Sequence, residues 1–268
     1  MISQQMKNAA TSVVSFFNKT WSITQMEVSK LRHDPTELLT RAVQPALWLL
    51  IFGEVFTRVH IINTGSLSYL AFMAPGVLAQ SVLFIAIFYG IAVIWERDLG
   101  IINKFLVSPT PRQALVLGKA FSAGIRALSQ VAIIYLLALL IGVGINWSPI
   151  NLTLVLVVSI LASALFSTFS LIIACLVKTR ERFMGIGQIL TMPMFFASNA
   201  IYPLSMMPTW LQVIARFNPL TYAVDAMRGL MITGGVSIYG VGVDMLVLFV
   251  VTTTLVLIGA KLYPRVVV

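Results

Sequence analysis

Long apolar runs separated by short polar segments dominate the chain and predict membrane-spanning helices. A bilayer core needs about 20 apolar residues per helix, and most of the runs reach that length. The fifth run is broken by polar residues and is shorter. The runs lie at about 38–56, 69–95, 110–142, 152–177, 183–198 and 239–260. The pattern therefore predicts an all-α membrane protein with six transmembrane helices.

The N-terminal segment has a different pattern, with apolar residues recurring at the three-, four- and seven-residue spacings of one helix face. These residues are Val14, Phe17, Trp21, Val28 and Leu31. The pattern predicts an amphipathic helix lying in the membrane interface. The alternative is a soluble amphipathic helix packed on another subunit. The predicted domains are this interfacial helix, residues 1–33, and one transmembrane domain, residues 34–268.

The segment 95–119 is the only lengthy charged stretch between two apolar runs. Its charged residues are Glu96, Arg97, Asp98, Lys104, Arg112 and Lys119. Within it, Leu99, Ile102 and Phe105 form a short apolar stripe, which predicts a short amphipathic helix that ends before Pro109. Pro111 is then predicted at the first position of the following helix. We interpret this coupling loop, 95–119, as the segment that receives force from a soluble partner.

The segment 199–232 predicts a helical hairpin instead of a span. It contains two short helices, at about 208–217 and 219–232, and each is too short to cross the bilayer. Asn218 is predicted as the N-cap of the second helix, with Pro219 at its first position. The polar face of this helix consists of Thr221, Asp225 and Arg228. We expect a re-entrant hairpin that dips into the outer leaflet; the alternative is an ordinary outer loop.

Composition and charge support a membrane protein. The chain is 59% hydrophobic and 10% charged, against about 25% charged in soluble domains, and its mean hydropathy is +0.95. The net charge of +9 does not indicate nucleic-acid binding, because the basic residues lie at the ends of apolar runs. With six spans, 14 of the 18 basic residues fall on one side. The positive-inside rule then predicts cytoplasmic termini and a cytoplasmic coupling loop, and we expect the chain to lie in the inner membrane.

The sequence contains no recognisable catalytic or metal-binding constellation, so we expect no enzyme activity and no cofactor in this chain. Gly118 and Lys119 are followed by Ala120, which breaks the phosphate-binding loop motif. Glu54, Asp225 and Asp244 map near the ends of the spans, whereas ion-coupled carriers usually place acidic residues deep in them. The pattern therefore favours an external energy source.

Polar and aromatic residues inside the predicted spans are candidates for lining a transport path. They are Gln44, Trp48, Phe52, Gln80, Phe84, Phe88 and Phe195. The ordinary interpretation, side chains that contact lipid or neighbouring helices, remains open for each of them.

Two segments resemble the permease subunits of type-2 ABC exporters, especially the daunorubicin-resistance-like branch. The residues from Asn218 to Gly229, NPLTYAVDAMRG, are similar to the family's signature before the last span. The stretch ERD, followed by FLVSP and LGK, resembles the cytoplasmic loop that couples to the ATPase. Gly100 matches this loop, but Ile101 stands where the family usually has Thr.

The resemblance implies a transporter with two ATPase subunits, which bind ATP and Mg²⁺, and two permeases. The second permease would be a copy of this chain or a paralogue. The coupling residues implied are Glu96, Arg97, Asp98, Leu99, Gly100, Ile102, Lys104, Phe105 and Pro109. The signature residues implied are Asn218, Pro219, Thr221, Tyr222, Asp225, Arg228 and Gly229. The expected substrate is an amphipathic drug, a lipid or a glycan. The alternatives are an ion-coupled secondary transporter and a non-transporting membrane scaffold.

Overall fold

The computed structural model describes residues 18–25, 29, 43–59, 64–65, 67–102, 111–177 and 179–263, and these residues are mostly helical without a β-strand. Two helical segments come first, α1 (18–25) and α2 (43–59), and α2 contains a π-helical stretch, Trp48–Gly53. The remaining helices are α3 Tyr69–Asp98, α4 Arg112–Leu140, α5 Pro149–Leu176, α6 Arg180–Phe196, α7 Thr209–Phe217, α8 Pro219–Met231 and α9 Val241–Leu262.

Four of these helices, α3, α4, α5 and α9, are long and apolar enough to cross a membrane. Their lengths are 30, 29, 28 and 22 residues, which correspond to about 33–45 Å at 1.5 Å per residue. The predicted first and fifth spans correspond to α2 and α6. The described part of α2 is short, and α6 has 17 residues. Six spans therefore remain a prediction, whereas an all-helical membrane fold with four candidate spans is observed in the described residues.

Helix α3 lies at the centre of the bundle and packs against α4, α5, α6 and α8. Its sequence is apolar on every face, as expected for a helix surrounded by other helices, and most of its residues are buried. Small residues allow close approach at two points. A side chain at Gly76 would collide with the backbone of Ala200, and Ser159 and Ser163 of α5 are fully buried.

Several boundaries agree closely with those expected from the sequence. Helices α7 and α8 begin and end within one residue of the predicted bounds. Asn218 caps α8, because its side-chain oxygen accepts a hydrogen bond from the Leu220 N–H at 3.0 Å. Pro111 is the N-cap of α4 instead of its first helical residue, so the helix begins at Arg112, one residue later than predicted.

Some predictions fall outside the described residues. These are most of the N-terminal helix, the start of the predicted first span (38–42), and Lys104, Phe105 and Pro109 of the coupling loop. Of the N-terminal helix, α1 is described, and it packs against α4. A side chain added at Gly118 would lie 2.7 Å from the Ile23 side chain, and the Thr24 hydroxyl donates a hydrogen bond to Gly118 O at 3.2 Å.

Candidate functional site

A buried ion pair joins the end of α3 to the start of α4. The Lys119 ammonium donates to Glu96 Oε2 at 2.6 Å, and the two side chains are only 4% and 6% exposed. The ammonium also lies 6.0 Å from the centre of the Tyr89 ring. Glu96 was predicted to orient a partner protein. Its carboxylate instead faces the interior of this chain, where it fixes the two ends of the coupling loop relative to each other.

An exposed ionic cluster lies beside this pair and joins two polar segments of the chain. Asp98 accepts hydrogen bonds from Arg97 at 3.1 Å and from Arg180 at 2.9 Å. Arg97 also donates to Val177 O at 3.2 Å. The Arg180 guanidinium stacks on the Trp95 ring, 3.5 Å from its centre. The end of α3 is therefore clamped to the start of α6.

The predicted apolar stripe of the coupling loop is divided between the surface and the core. Leu99 is 69% exposed, whereas Ile102 is 1% exposed and belongs to a core cluster with Ile23 and Val93. The turn between them is made by Gly100, whose φ of +69° lies in the left-handed region that glycine adopts easily. Ile102 is thus unavailable to a partner protein in this structure, and Leu99 is the apolar residue of the described stripe that points outward.

Three members of this end of the molecule, Trp95, Val177 and Arg180, were not predicted as site residues from the sequence. In the sequence, Arg180 lies in the next charged segment after the coupling loop. The presence of charges in both segments was the one sequence feature that could have indicated a contact between them. The pairing itself joins residues 82 positions apart, which no local pattern specifies. We call this region, residues 94–102, 111–119, 177 and 179–182, the charged end.

Four of the seven predicted path residues line one groove between α2 and α3. The groove has a volume of about 270 Å³. Its lining is formed by Gln44, Pro45, Gln80, Ser81, Phe84, Ile85 and Phe88. Gln80 Nε2 is buried and has no hydrogen-bond partner among the described residues. The groove therefore combines aromatic walls with a buried amide donor.

The other three predicted path residues form an aromatic cluster. The Trp48 ring stacks on Phe52 with 4.5 Å between ring centres, and its edge contacts Phe195 at 5.7 Å. This cluster joins α2 to α6, so the predicted path residues fall into a groove group and an aromatic group.

At the opposite end of the bundle, a buried carboxylate pins a loop onto α8. Asp225 Oδ2 accepts hydrogen bonds from the Ser237 hydroxyl at 2.9 Å and from the Ile238 and Tyr239 N–H groups at 2.7 and 3.0 Å. The Ser237 hydroxyl also lies 2.9 Å from Asp244 Oδ2. Both aspartates are fully buried. This cluster ties α8 to the loop and to the first turn of α9.

We call this end of the bundle, residues 197–244, the hairpin end. Arg228 completes its packing. Its guanidinium donates to Phe72 O at 3.3 Å and to Asn199 O at 2.6 Å, and it lies 3.7 Å from the centre of the Phe72 ring. Asn218 Nδ2 donates to Met194 O at 2.6 Å and to Ala197 O at 2.9 Å. These signature residues contact this chain's own backbone.

The remaining signature residues also pack within the hairpin end. Thr221 is fully buried, and the Tyr222 hydroxyl donates to Arg216 O at 2.8 Å. A side chain at Gly229 would lie 3.1 Å from Ser237. Pro219 is the first residue of α8. Within the described residues, no three His, Cys, Asp or Glu side chains converge as metal ligands would.

Span-length helices and an exterior rich in exposed apolar side chains define a polytopic helical membrane protein. The sequence profile of the ABC-2 type transporter family matches residues 18–232, and the chain belongs to this family. It is a transmembrane ABC transporter permease, and membership of this family implies partnership with an ATPase.

The names of similar proteins describe permeases as well. The chain is 29% identical over 239 residues to ycf38 of Cyanophora paradoxa, whose name describes a transport permease; the match covers 85% of this chain and 79% of the relative. It is 25% identical over 222 residues to the daunorubicin resistance ABC transporter permease protein DrrB1 of Streptomyces coeruleorubidus, with coverages of 83% and 76%. YbhR of Escherichia coli K12, whose name describes a multidrug ABC transporter permease, is 28% identical over 167 residues, with coverages of 61% and 44%.

Proposed function

We propose that this chain is the permease subunit of an ATP-driven exporter, which moves an amphipathic drug, lipid or glycan out of the cytoplasm by alternating access. Two separate ATPase subunits supply the energy by binding ATP with Mg²⁺ and hydrolysing it. A second copy of this chain, or a paralogous permease, completes the transport path.

The observation that carries the proposal is the exposed Leu99 at the tip of a clamped helix. Arg97 and Asp98 directly precede this apolar residue in the chain, and Arg180 pairs with Asp98, an arrangement that suits a contact with an apolar centre and a polar rim. The buried pair of Glu96 and Lys119 lies within one helical turn of it and makes the base rigid. A soluble subunit that binds Leu99 therefore acts on α3 as a unit.

Helix α3 also supplies the link from this contact to the groove. Phe84 and Phe88 line the groove and lie on the same continuous helix as the coupling residues. Asp98 is 14 residues beyond Phe84, which corresponds to about 20 Å along the helix axis. Because α3 is continuous between the charged end and the groove, a displacement at the charged end is transmitted along the helix to the groove.

Membrane topology follows from the same proposal. Helices α2 and α6 complete six spans, and α7 and α8 form the re-entrant hairpin in the outer leaflet. Exposed Trp210 and Phe217 on α7 support contact with lipid. The basic residues Arg97 and Arg180 support a cytoplasmic charged end. Both termini then lie in the cytoplasm, with the chain in the inner membrane and residues 1–33 at its interface.

The chemistry of the groove supports an amphipathic substrate. Its aromatic walls suit an apolar or planar group, and the amides of Gln44 and Gln80 suit a hydroxyl or carbonyl. The names of two relatives, which refer to daunorubicin resistance and to multidrug transport, support testing a drug first.

The deciding experiment is affinity capture of the tagged chain in mild detergent, followed by mass spectrometry and an ATPase assay. We expect an ABC ATPase to co-purify with the native chain and to be lost from Leu99→Asp. Val236→Asp is the matched control, because Val236 is also an exposed apolar residue but lies at the hairpin end.

Loss of the ATPase from both variants points to general damage, and size-exclusion chromatography of each variant detects it. An ATPase that remains bound to a well-folded Leu99→Asp variant contradicts the proposed contact. A native chain that repeatedly purifies without any ATPase contradicts the exporter proposal and favours an ion-coupled carrier or a scaffold.

A further inference from the structure

A second groove lies on the exterior of the bundle, between α4, α5 and α9. It has a volume of about 320 Å³. Its walls include Leu117 and Phe121 of α4, Ile160 of α5, and Phe249 and Leu257 of α9. Phe121, Phe249 and Leu257 are 46%, 59% and 50% exposed. The groove is therefore open to the exterior of the bundle and separate from the groove between α2 and α3.

The interior of this groove offers hydrocarbon contacts and few polar ones. Its two threonines use their hydroxyls within their own helix: Thr252 donates to Leu248 O at 2.6 Å, and Thr253 donates to Phe249 O at 2.8 Å. Both donors are thus engaged. The small side chain of Ala164 forms part of the lining and leaves space that a larger residue would fill.

The length of the groove matches part of one lipid leaflet. On α4 it extends from Gln113 to Phe121, and on α9 from Phe249 to Leu257. Eight residues of helix correspond to about 12 Å. One leaflet of the hydrocarbon core is about 15 Å thick, half of the full core. An acyl chain that enters from the charged end therefore stays within its own leaflet.

Positive charge lies at the open end of the groove. Lys261 is one helical turn beyond Leu257 on the same face of α9, and Arg112 begins α4 beside Gln113; both basic residues are exposed. The two helix ends are adjacent, because a side chain added at Gly259 would lie 3.6 Å from Val116. Basic residues above an apolar cleft between helices are the chemistry that recognises an anionic lipid headgroup.

We propose that this groove binds one anionic phospholipid from the leaflet at the charged end. One acyl chain lies between α4, α5 and α9, and the phosphate contacts Lys261 and Arg112. The proposal depends on the membrane fold and not on ATPase coupling or export. Its failure would therefore leave the proposed transport function unaffected.

Native mass spectrometry of the purified full chain tests the proposal. The detergent-solubilised chain is incubated with equal amounts of phosphatidylglycerol and phosphatidylcholine that carry identical acyl chains, and the retained lipids are counted. We expect one phosphatidylglycerol to be retained preferentially. Lys261→Gln should reduce this preference about fivefold, the effect of one basic residue at a membrane surface, while Arg216→Gln at the hairpin end leaves it unchanged.

A tryptophan pair tests the groove itself. Thr253→Trp fills the groove from its exposed rim and should abolish retention of the lipid. Thr254→Trp is the matched control, because Thr254 is also exposed and bonded to its own helix but lies outside the lining. Equal retention of both lipids by the native chain overturns the proposal, and so does unchanged retention by Thr253→Trp. A change of oligomeric state in Thr253→Trp alone also overturns it, since a second copy would then occupy the groove.

Discussion

Lys119 and Glu96 form a 2.6 Å ion pair that is almost completely shielded from solvent, although both residues belong to a segment whose charges suggest an exposed loop. Placing this pair in the interior has a functional consequence. It holds the last turn of α3 against α4, so that the outward-facing residues beside it, Leu99 and Asp98, rest on a fixed base.

The buried pair should contribute strongly to stability. Removing one member of a buried ion pair costs about 3–5 kcal/mol, so Glu96→Gln should lower the free energy of unfolding by about that amount. Glu181→Gln, at an exposed glutamate of α6, should change it by less than about 0.5 kcal/mol. Thermal unfolding in detergent measures both variants. Combining Glu96→Gln with Lys119→Met should cost less than the sum of the single losses, and additive losses would contradict direct pairing.

The exposed cluster of Asp98 and Arg180 should respond differently to salt. An exposed ion pair contributes about 0–1 kcal/mol, and at 1 M salt the Debye length falls to about 3 Å. Arg180→Gln should therefore lower stability slightly at low salt, and most of this loss should disappear at high salt. The part of the stability loss that remains at high salt reflects the missing stacking of the Arg180 guanidinium on the Trp95 ring. The loss in Glu96→Gln should persist at both salt concentrations.

The control for this experiment is Arg182→Gln, an exposed arginine two residues along the same helix. It should melt like the native chain under both conditions. A loss in Arg180→Gln that is as large as that in Glu96→Gln, or one that does not change with salt, would show that the cluster is not an exposed electrostatic contact.

Asp225 should be more sensitive to substitution than Thr221, its buried neighbour on α8. Its carboxylate accepts hydrogen bonds from one hydroxyl and two backbone N–H groups, and each buried donor left without a partner costs about 1–3 kcal/mol. Asp225→Ala should therefore lower stability by at least about 2 kcal/mol. It should also expose the loop at Tyr239 to chymotrypsin. Thr221→Ala, one turn earlier and equally buried, should cost less than about 1.5 kcal/mol. Equal losses in the two variants would count against the pinning role of Asp225.

Local sequence signals predicted the helices well, and the reason is physical. Asn218 followed by Pro219 specifies a helix start through a side-chain cap and a fixed backbone angle, and both effects act within a few residues. The long apolar runs specified α3, α4, α5 and α9 because lipid requires continuous apolar helices. Such signals depend on neighbours in the sequence, so the fold class could be read from the sequence alone.

The partners of the polar side chains could not be predicted in this way. Asp98 contacts Arg180 from a different loop, and Asp244 shares the Ser237 hydroxyl with Asp225, because helix packing brings distant segments together. For the apolar stripe of the coupling loop, the sequence likewise could not predict which residues are buried. Its spacing identified one helix face, but Ile102 packs in a core cluster with Ile23 of α1 and Val93 of α3, while Leu99 stays exposed.

The single cysteine makes the proposed orientation directly testable. Cys175 is buried and can be replaced by alanine to give a cysteine-free background. Cysteine is then introduced at one of two exposed positions, Leu176 next to the charged end or Val236 at the hairpin end. Because positive charges remain in the cytoplasm, a membrane-impermeant maleimide added to intact cells should label Val236→Cys. It should label Leu176→Cys only after permeabilisation. The reverse result would place the charged end outside the cell, where a cytoplasmic ATPase cannot reach Leu99.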